Sequence, residues 1–324
     1  MSSDRTSPWN AIILGAGEGK RMKSDRPKVL HEIAGRPLVS WVVRTALDAG
    51  ASRCLVVVGH GRDQVEQELR ASFGEDVETV LQPRQNGTGD AVRCAIEAHP
   101  DLEGRTAVLY GDCPLLPASL LRELVERANA ADADCGLVTA TLADPGGYGR
   151  IVRSDAGDIE RIVEDRDCST SERAIREVNP GLYSFKTGFL RESIQQLDTN
   201  NAQGELYLTD VVELAARRGK VIDIEGDMSE LTGINDRREL ALAAAIKRRA
   251  VAEELARKGV GVVDLDTLYV DADCEIEPGA VLGANVHLRG RCIVRAGAHI
   301  DVGCVLVDVV VEKDAQVLPY TVAT

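Results

Sequence analysis

From residue 270 onward the chain repeats an apolar position every six residues, and no other feature constrains its fold as tightly. Val270, Ile276, Leu282, Leu288, Val294, Ile300 and Leu306 keep strict register. Four residues after each comes a small or modest side chain: Cys274, Ala280, Val286, Cys292, Ala298, Cys304 and Val310. Such a repeat specifies a left-handed parallel β-helix, in which three hexads close one triangular coil. The phase slips once after Leu306 and resumes at Val311 and Val317. Residues 262–324 are therefore expected to form a short β-helix of about three coils. Cys274, Cys292 and Cys304 read as small interior residues of that helix, not as metal ligands.

Residues 8–235 follow a different pattern. Short aliphatic runs at 11–14, 54–59 and 106–110 alternate with amphipathic stretches such as 38–49 and 64–72. The alternation predicts an α/β domain with a Rossmann-like, mostly parallel open sheet covered on both faces, its ligands gathered at the carboxyl ends of the strands. Between the two domains, Asp236-Arg237-Arg238-Glu239 reads as a capping box that opens an alanine-rich helix stopping at Gly259. This predicts a helical arm over 236–259.

Composition bounds what such a chain can bind. With 324 residues there is room for two cores, and with aromatics at only 3% those cores must be aliphatic. A net charge of −14 argues against nucleic acid or an anionic membrane as partner. Any phosphate site must then be a local island of cations. No run approaches the roughly 20 apolar residues of a membrane helix. The first eight residues carry no signal-peptide pattern. Eight cysteines occur singly, without a C-x-x-C pair, which points to reduced thiols in a cytoplasm.

Five clusters fall where an open sheet exposes its ligand-binding edge. The first is Leu14-Gly15-Ala16-Gly17-Glu18-Gly19-Lys20-Arg21-Met22, followed by Pro27-Lys28-Val29-Leu30. Glycines after a strand let amides converge on an anion, and the cations point to a polyphosphate; the alternative is a tight turn. The spacing fits neither a Walker loop nor the dinucleotide fingerprint. Next, Gln82 through Asn86-Gly87-Thr88-Gly89-Asp90-Ala91 could read a base edge or form a polar surface turn. In Tyr110-Gly111-Asp112, the carboxylate is a turn residue unless phosphates lie beside it, when it can hold magnesium. Gly147-Tyr148-Gly149-Arg150, Glu164 and Asn179 could approach and hydrogen-bond a sugar. Asn235 is either the cap of the arm helix or, with Asp236 as the better cap, a residue free to point into a site.

Taken together with Gly233-Ile234-Asn235 and Glu205-Leu206-Tyr207-Leu208-Thr209-Asp210, these motifs resemble the sugar-1-phosphate nucleotidyltransferases. The likeness is nearest to the uridyltransferase half of the bifunctional bacterial N-acetylglucosamine-1-phosphate uridyltransferases, which also act as glucosamine-1-phosphate acetyltransferases. It implies a domain of the nucleotide-diphospho-sugar transferase type. It implies a magnesium-dependent enzyme that transfers UMP from UTP to N-acetylglucosamine-1-phosphate and releases pyrophosphate. Leu14, Gly15, Ala16, Gly17, Gly19, Lys28, Gln82, Gly87, Thr88, Tyr110 and Gly111 would then bind the nucleotide. Gly149, Glu164, Asn179 and Tyr207 would bind the sugar phosphate. Asp112 and Asn235 would hold the metal, while Arg21, Lys28 and Asp112 would serve catalysis. A trimer assembled through the β-helix is implied as well.

Two residues depart from the family pattern: Gly15 replaces a usual alanine, and Lys20 a usual threonine. With only three coils, the chain is expected to be a shortened member without acetyltransferase activity. Two other readings remain at this point. One is a transferase for a different sugar phosphate or nucleotide; the other is a sugar-nucleotide-binding regulator without turnover.

Overall fold

The computed structural model describes residues 8–324; residues 1–7, which belong to the stretch without a signal-peptide pattern, lie outside the described residues. The chain divides into two compact units. One runs to Leu30 and from Leu38 to Gly233; the other comprises His31–Pro37 and Ile234–Thr324.

In chain order the strands and larger helices of the α/β region are β1 (Trp9–Leu14), β2 (Glu32–Ile33), β3 (Arg36–Pro37), α1 (Leu38–Ala49), β4 (Arg53–Val58), α2 (Arg62–Phe73), β5 (Val77–Leu81), α3 (Thr88–Ala98), β6 (Arg105–Tyr110) and α4 (Ala118–Ala130). There follow β7 (Cys135–Thr141), β8 (Gly149–Arg153), β9 (Ile159–Val163), β10 (Glu177–Asn179), β11 (Tyr183–Lys186) and β12 (Val221–Glu225). Ten of these strands form one open sheet in the order β5-β4-β1-β6-β11-β7-β10-β8-β9, with β12 also paired to β7. The first four strands are mutually parallel. Beyond them the sheet is mixed, because β11 runs antiparallel to both β6 and β7, and β10 runs antiparallel to both β7 and β8.

The continuous apolar runs of β1 and β4 exist because both sheet faces are covered. Ala11 and Ile13 of β1, with Cys54, Val56 and Val58 of β4, face a core shared with α1. Ile12, Leu55 and Val57 point to the opposite core, against Ala91, Val92 and Ala95 of α3. The two-residue side-chain period of a strand thus feeds two aliphatic cores at once.

In the second unit, three parallel sheets stack strands into a β-helix. Two contain four strands and one contains three. Glu275 pairs with Ile293 and Val281 with His299, so a regular coil here advances 18 residues. Leu282, Leu288, Val294 and Ile300 are wholly buried, with Ala280, Cys292, Ala298 and Cys304 between them.

The slip after Leu306 corrects one assignment. Ile293 pairs with Val310 and His299 with Gln316, one residue short of a full coil. The missing residue falls at the corner, where Asp308 takes a left-handed φ of 55°. Val309 therefore packs against the interior, while Val310, expected inside, is half exposed.

The arm helix spans Arg237–Arg257 and is no detached spacer. Its alanines allow close packing, and Ala252 is fully buried in the core of the β-helix. Asp236 is its N-cap, accepting from the Glu239 N–H at 2.8 Å. The Glu239 carboxylate reaches one residue further back than a capping box requires, to the Asn235 N–H at 2.6 Å. The β2–β3 hairpin also belongs to this unit, although its sequence lies within 8–235. Ala272 donates to Ala34 at 2.9 Å, and Arg36 pairs with Asp273 at 2.6 Å. All eight cysteines are free thiols. Among the described residues no helix is long and apolar enough to cross a membrane.

Leu288→Ala empties a fully enclosed position and should cost roughly 2–5 kcal/mol, measured as a shift in denaturant unfolding. A loss below about 1 kcal/mol would show that the coil interior can collapse around the gap.

Candidate functional site

The first site is built where β1 and β6 end together. Leu14 pairs with Tyr110 and with Val57, so β1 and β6 stop at one level and β4 one residue beyond. Gly15 donates to Val57 O and Gly111 to Leu14 O, both at 2.9 Å, which pins the loop after β1 between its neighbours. Gly19 has a φ of 64°, and a Cβ there would strike the Lys28 side chain. Glycine thus supplies both the left-handed turn and the passage for Lys28.

A pocket opens at this edge. It is lined by Leu14, Gly15, Ala16, Gly17, Lys28, Val29, Gln82, Gln85, Gly87, Thr88, Ala91, Tyr110, Asp112 and Glu205. Residues from four separate sequence motifs are therefore brought together. Lys28 Nζ pairs with Asp112 Oδ2, and both side chains are 14% exposed. The Gln82 amide is buried and donates to Gly87 O at 3.1 Å and to Asp90 Oδ2 at 2.9 Å. Gln85 Nε2 donates to Ala16 O at 2.5 Å, joining this turn to the glycine loop. Thr88 Oγ1 accepts from Leu208 N at 3.1 Å and is bonded to the Tyr110 phenol, so its hydroxyl braces the pocket from behind. Burial raises the Tyr110 phenol above its usual range.

Not every expected residue lines the pocket. Lys20 turns outward and pairs with Glu18 at 2.7 Å, with 86% of its side chain exposed. Arg21 is exposed and outside the lining. Gly19 and Gly111 are also outside the lining, and Gly111 is buried.

The expected sugar-binding residues form a second group. Gly149 and Asn179 are cross-strand partners on β8 and β10. A Cβ on Gly149 would lie 3.7 Å from Glu164 Oε2. Thr209 Oγ1 donates to Glu164 Oε1 at 3.0 Å. Burial, and then the nearby Asp167, Asp165 and Glu205, push the Glu164 carboxyl up, whereas the Thr209 bond holds it down. Tyr207 OH donates to Asp167 Oδ2 at 3.2 Å and accepts from Gln203 Nε2 at 3.0 Å. Asn179 is internally engaged: Nδ2 donates to Tyr183 OH at 2.6 Å and Oδ1 accepts from Gly181 N at 3.1 Å. Tyr110 links this group to the pocket. Gly181, at a φ of 90°, lies where any Cβ would meet the Tyr110 ring, and the Glu164 charge acts on the phenol. Gln85, Asp90 and Thr209 were not singled out from the sequence, although all three sit inside motifs it marked.

For a metal, the donor chemistry at Asp112 is suitable. A carboxylate oxygen suits a hard cation such as magnesium, which is usually held by one or two protein groups plus substrate oxygens. A Cβ on Gly233 would come within 3.1 Å of Asp112 Oδ1, which also accepts from the Cys113 thiol at 3.6 Å, so glycine relieves crowding at that oxygen. No group of three or more His, Cys, Asp or Glu able to hold a metal occurs among the described residues. Asn235 belongs to the second unit and directly precedes the Asp236 cap.

Residues 11–184 match the model of the MobA-like NTP transferase domain. A bifunctional GlmU protein from Sorangium cellulosum is 48% identical over 98% of this chain and 68% of its own length. The chain belongs to the GlmU family. Another GlmU protein, from Anaeromyxobacter sp., is 44% identical over 99% of this chain and 66% of that protein. GlmU from Thermobifida fusca is 41% identical over all of this chain and 67% of its own length. The chain thus spans about two thirds of the GlmU proteins it matches, and it is a sugar-1-phosphate nucleotidyltransferase. A crystal structure from Bacillus anthracis, described as a glucose-1-phosphate thymidylyltransferase in complex with sucrose, shares the fold. Its TM-score is 0.59 at 20% identity, over 74% of this chain and 95% of that one.

Asp210, at the start of the helix Asp210–Ala216, has its carboxyl raised to about 6 by burial, with Glu213, Asp198, Glu164 and Asp167 adding to the shift. A raised carboxyl pKa destabilises the fold once the group ionises. The penalty is full above about pH 6 and disappears below the unfolded value near 4. Asp210→Asn should therefore raise the melting temperature at pH 7.5 relative to wild type and leave it unchanged near pH 4. An equal difference at both pH values would refute the assignment.

Proposed function

We propose that this chain transfers UMP from UTP to N-acetylglucosamine-1-phosphate, giving UDP-N-acetylglucosamine and pyrophosphate. The observation that carries the reading is the single pocket in which a glycine loop, Lys28, Asp112 and the buried Gln82 amide converge. GlmU membership and the motif likeness support the choice of uridylyl donor and amino-sugar acceptor.

The attacking group is a phosphate oxygen already ionised at neutral pH, so the chain has to supply no general base. Its task is to hold two anions in line and neutralise charge. The loop from Gly15 to Gly19 offers backbone amides to the triphosphate. Lys28 supplies an ammonium at the same edge, and Arg21, following the family likeness, a further cation for the leaving pyrophosphate. Gln82 and Gly87 meet the uracil. Gly149, Glu164, Asn179 and Tyr207 receive the sugar, with Glu164 accepting from sugar hydroxyls. Magnesium would be held by Asp112 and, following the family likeness, by Asn235. When bound it neutralises charge shared by the phosphates of both substrates. We assign the reaction to the cytoplasm and the assembly to a trimer formed through the β-helix.

The test is a pyrophosphate-release screen of nucleoside triphosphates against sugar-1-phosphates, with and without magnesium. UTP with N-acetylglucosamine-1-phosphate should be the preferred pair; preference for another pair would redirect the assignment. Within that assay Asp112→Asn and Lys28→Ala should each lower kcat/KM by about 100-fold or more while circular dichroism stays unchanged. Near wild-type turnover in either variant would remove that residue from the mechanism.

A further inference from the structure

We infer that Asp90, clamped by Arg93, sets the base preference of the pocket by fixing which end of the Gln82 amide faces it. The inference rests on the uridylyl-transfer reading above and deepens it.

A glutamine amide has a donor end and an acceptor end, and a 180° turn exchanges them. Here both protons of Gln82 Nε2 are committed, one to Gly87 O and one to Asp90 Oδ2. Each partner can only accept: one is a main-chain carbonyl, the other a carboxylate whose second oxygen pairs with Arg93. Turning the amide would set Oε1 against both, so chemistry admits one orientation. Asp90 is 4% exposed and Gln82 5% exposed, which makes a mismatched pair there expensive. Gln82 Oε1 has no donor among the described residues, and Gln82 lines the pocket.

A base meeting that oxygen must present an N–H. Uracil does so at its imide N3. Cytosine has nearly the same size and shape but carries a lone pair at N3, which would oppose the lone pairs of Oε1. Asp90 touches neither base; it is a positioning residue that makes Gln82 an acceptor only. Arg93, 34% exposed, holds the carboxylate in place.

The experiment measures kcat and KM for UTP and CTP in wild type, Asp90→Ala and Arg93→Ala, with melting temperatures to follow folding. Wild type should favour UTP. In Asp90→Ala the UTP:CTP ratio of kcat/KM should fall by about tenfold or more, chiefly through a higher KM for UTP. In Arg93→Ala it should fall in the same direction by a smaller factor. Equal losses for both nucleotides in Asp90→Ala would reduce Asp90 to a purely structural role and overturn the inference. Should Asp90→Ala not fold, an unchanged ratio in Arg93→Ala overturns it instead. Failure of wild type to use UTP at all would sink the uridylyl-transfer reading itself, an outcome distinct from a wild-type preference that survives both substitutions.

Discussion

The near-level ending of three parallel strands is the constraint on which the first site depends. Because Leu14 stands beside both Tyr110 and Val57, the loop after β1 and the Gly111-Asp112 turn after β6 emerge side by side. A one-residue change in either register would turn the aliphatic side chains of β1 to the wrong cores and separate Lys28 from Asp112. Burial of Ala11, Ile12 and Ile13 on alternate faces therefore holds the chemistry in place, although none of the three approaches a ligand.

Around that edge the chain sets its polar groups before any substrate arrives. Gln82, Gln85 and Thr88 each spend hydrogen bonds on the protein, which limits what remains to offer a ligand. Charge is distributed in the same way. A molecule with net charge −14 keeps Lys28, paired with Asp112, in a pocket lined by glycines and the amides of Gln82 and Gln85, while further carboxylates crowd the second group around Glu164. One region suits phosphate oxygens; the other suits the hydroxyl donors of a sugar. Tyr110 touches both.

Much of this was legible in the residues. The six-residue repeat was readable because a β-helix admits only a few side-chain sizes at its interior positions and repeats the demand in every coil. The strand–helix alternation was readable from its apolar periods, and much of the pocket lining from motifs that, each compatible with a plain turn, gain meaning only as an ordered set. What escaped depends on backbone direction or on distant pairing. Lys20 and Arg21 sit next to Lys28 in the motif, yet the left-handed residues Gly19 and Lys23 bracket a short turn, and Lys20 swings out to Glu18. The β2–β3 hairpin joins the second unit through Ala34 and Ala272, far apart in the chain and unmarked by any local pattern. Between Val309 and Val310 composition offers no choice at all, and only the shortened corner decides which one faces inward.

That corner also indicates where such a coil tolerates a change of length. The coil drops one residue beside Asp308, and Gln316 and Val322 still find their partners in the layer below. Bends can thus absorb deletions, while a residue lost from within a straight edge would reverse every later inward position. Divergent copies of this scaffold should accumulate gaps at their vertices and keep their flat sides uninterrupted.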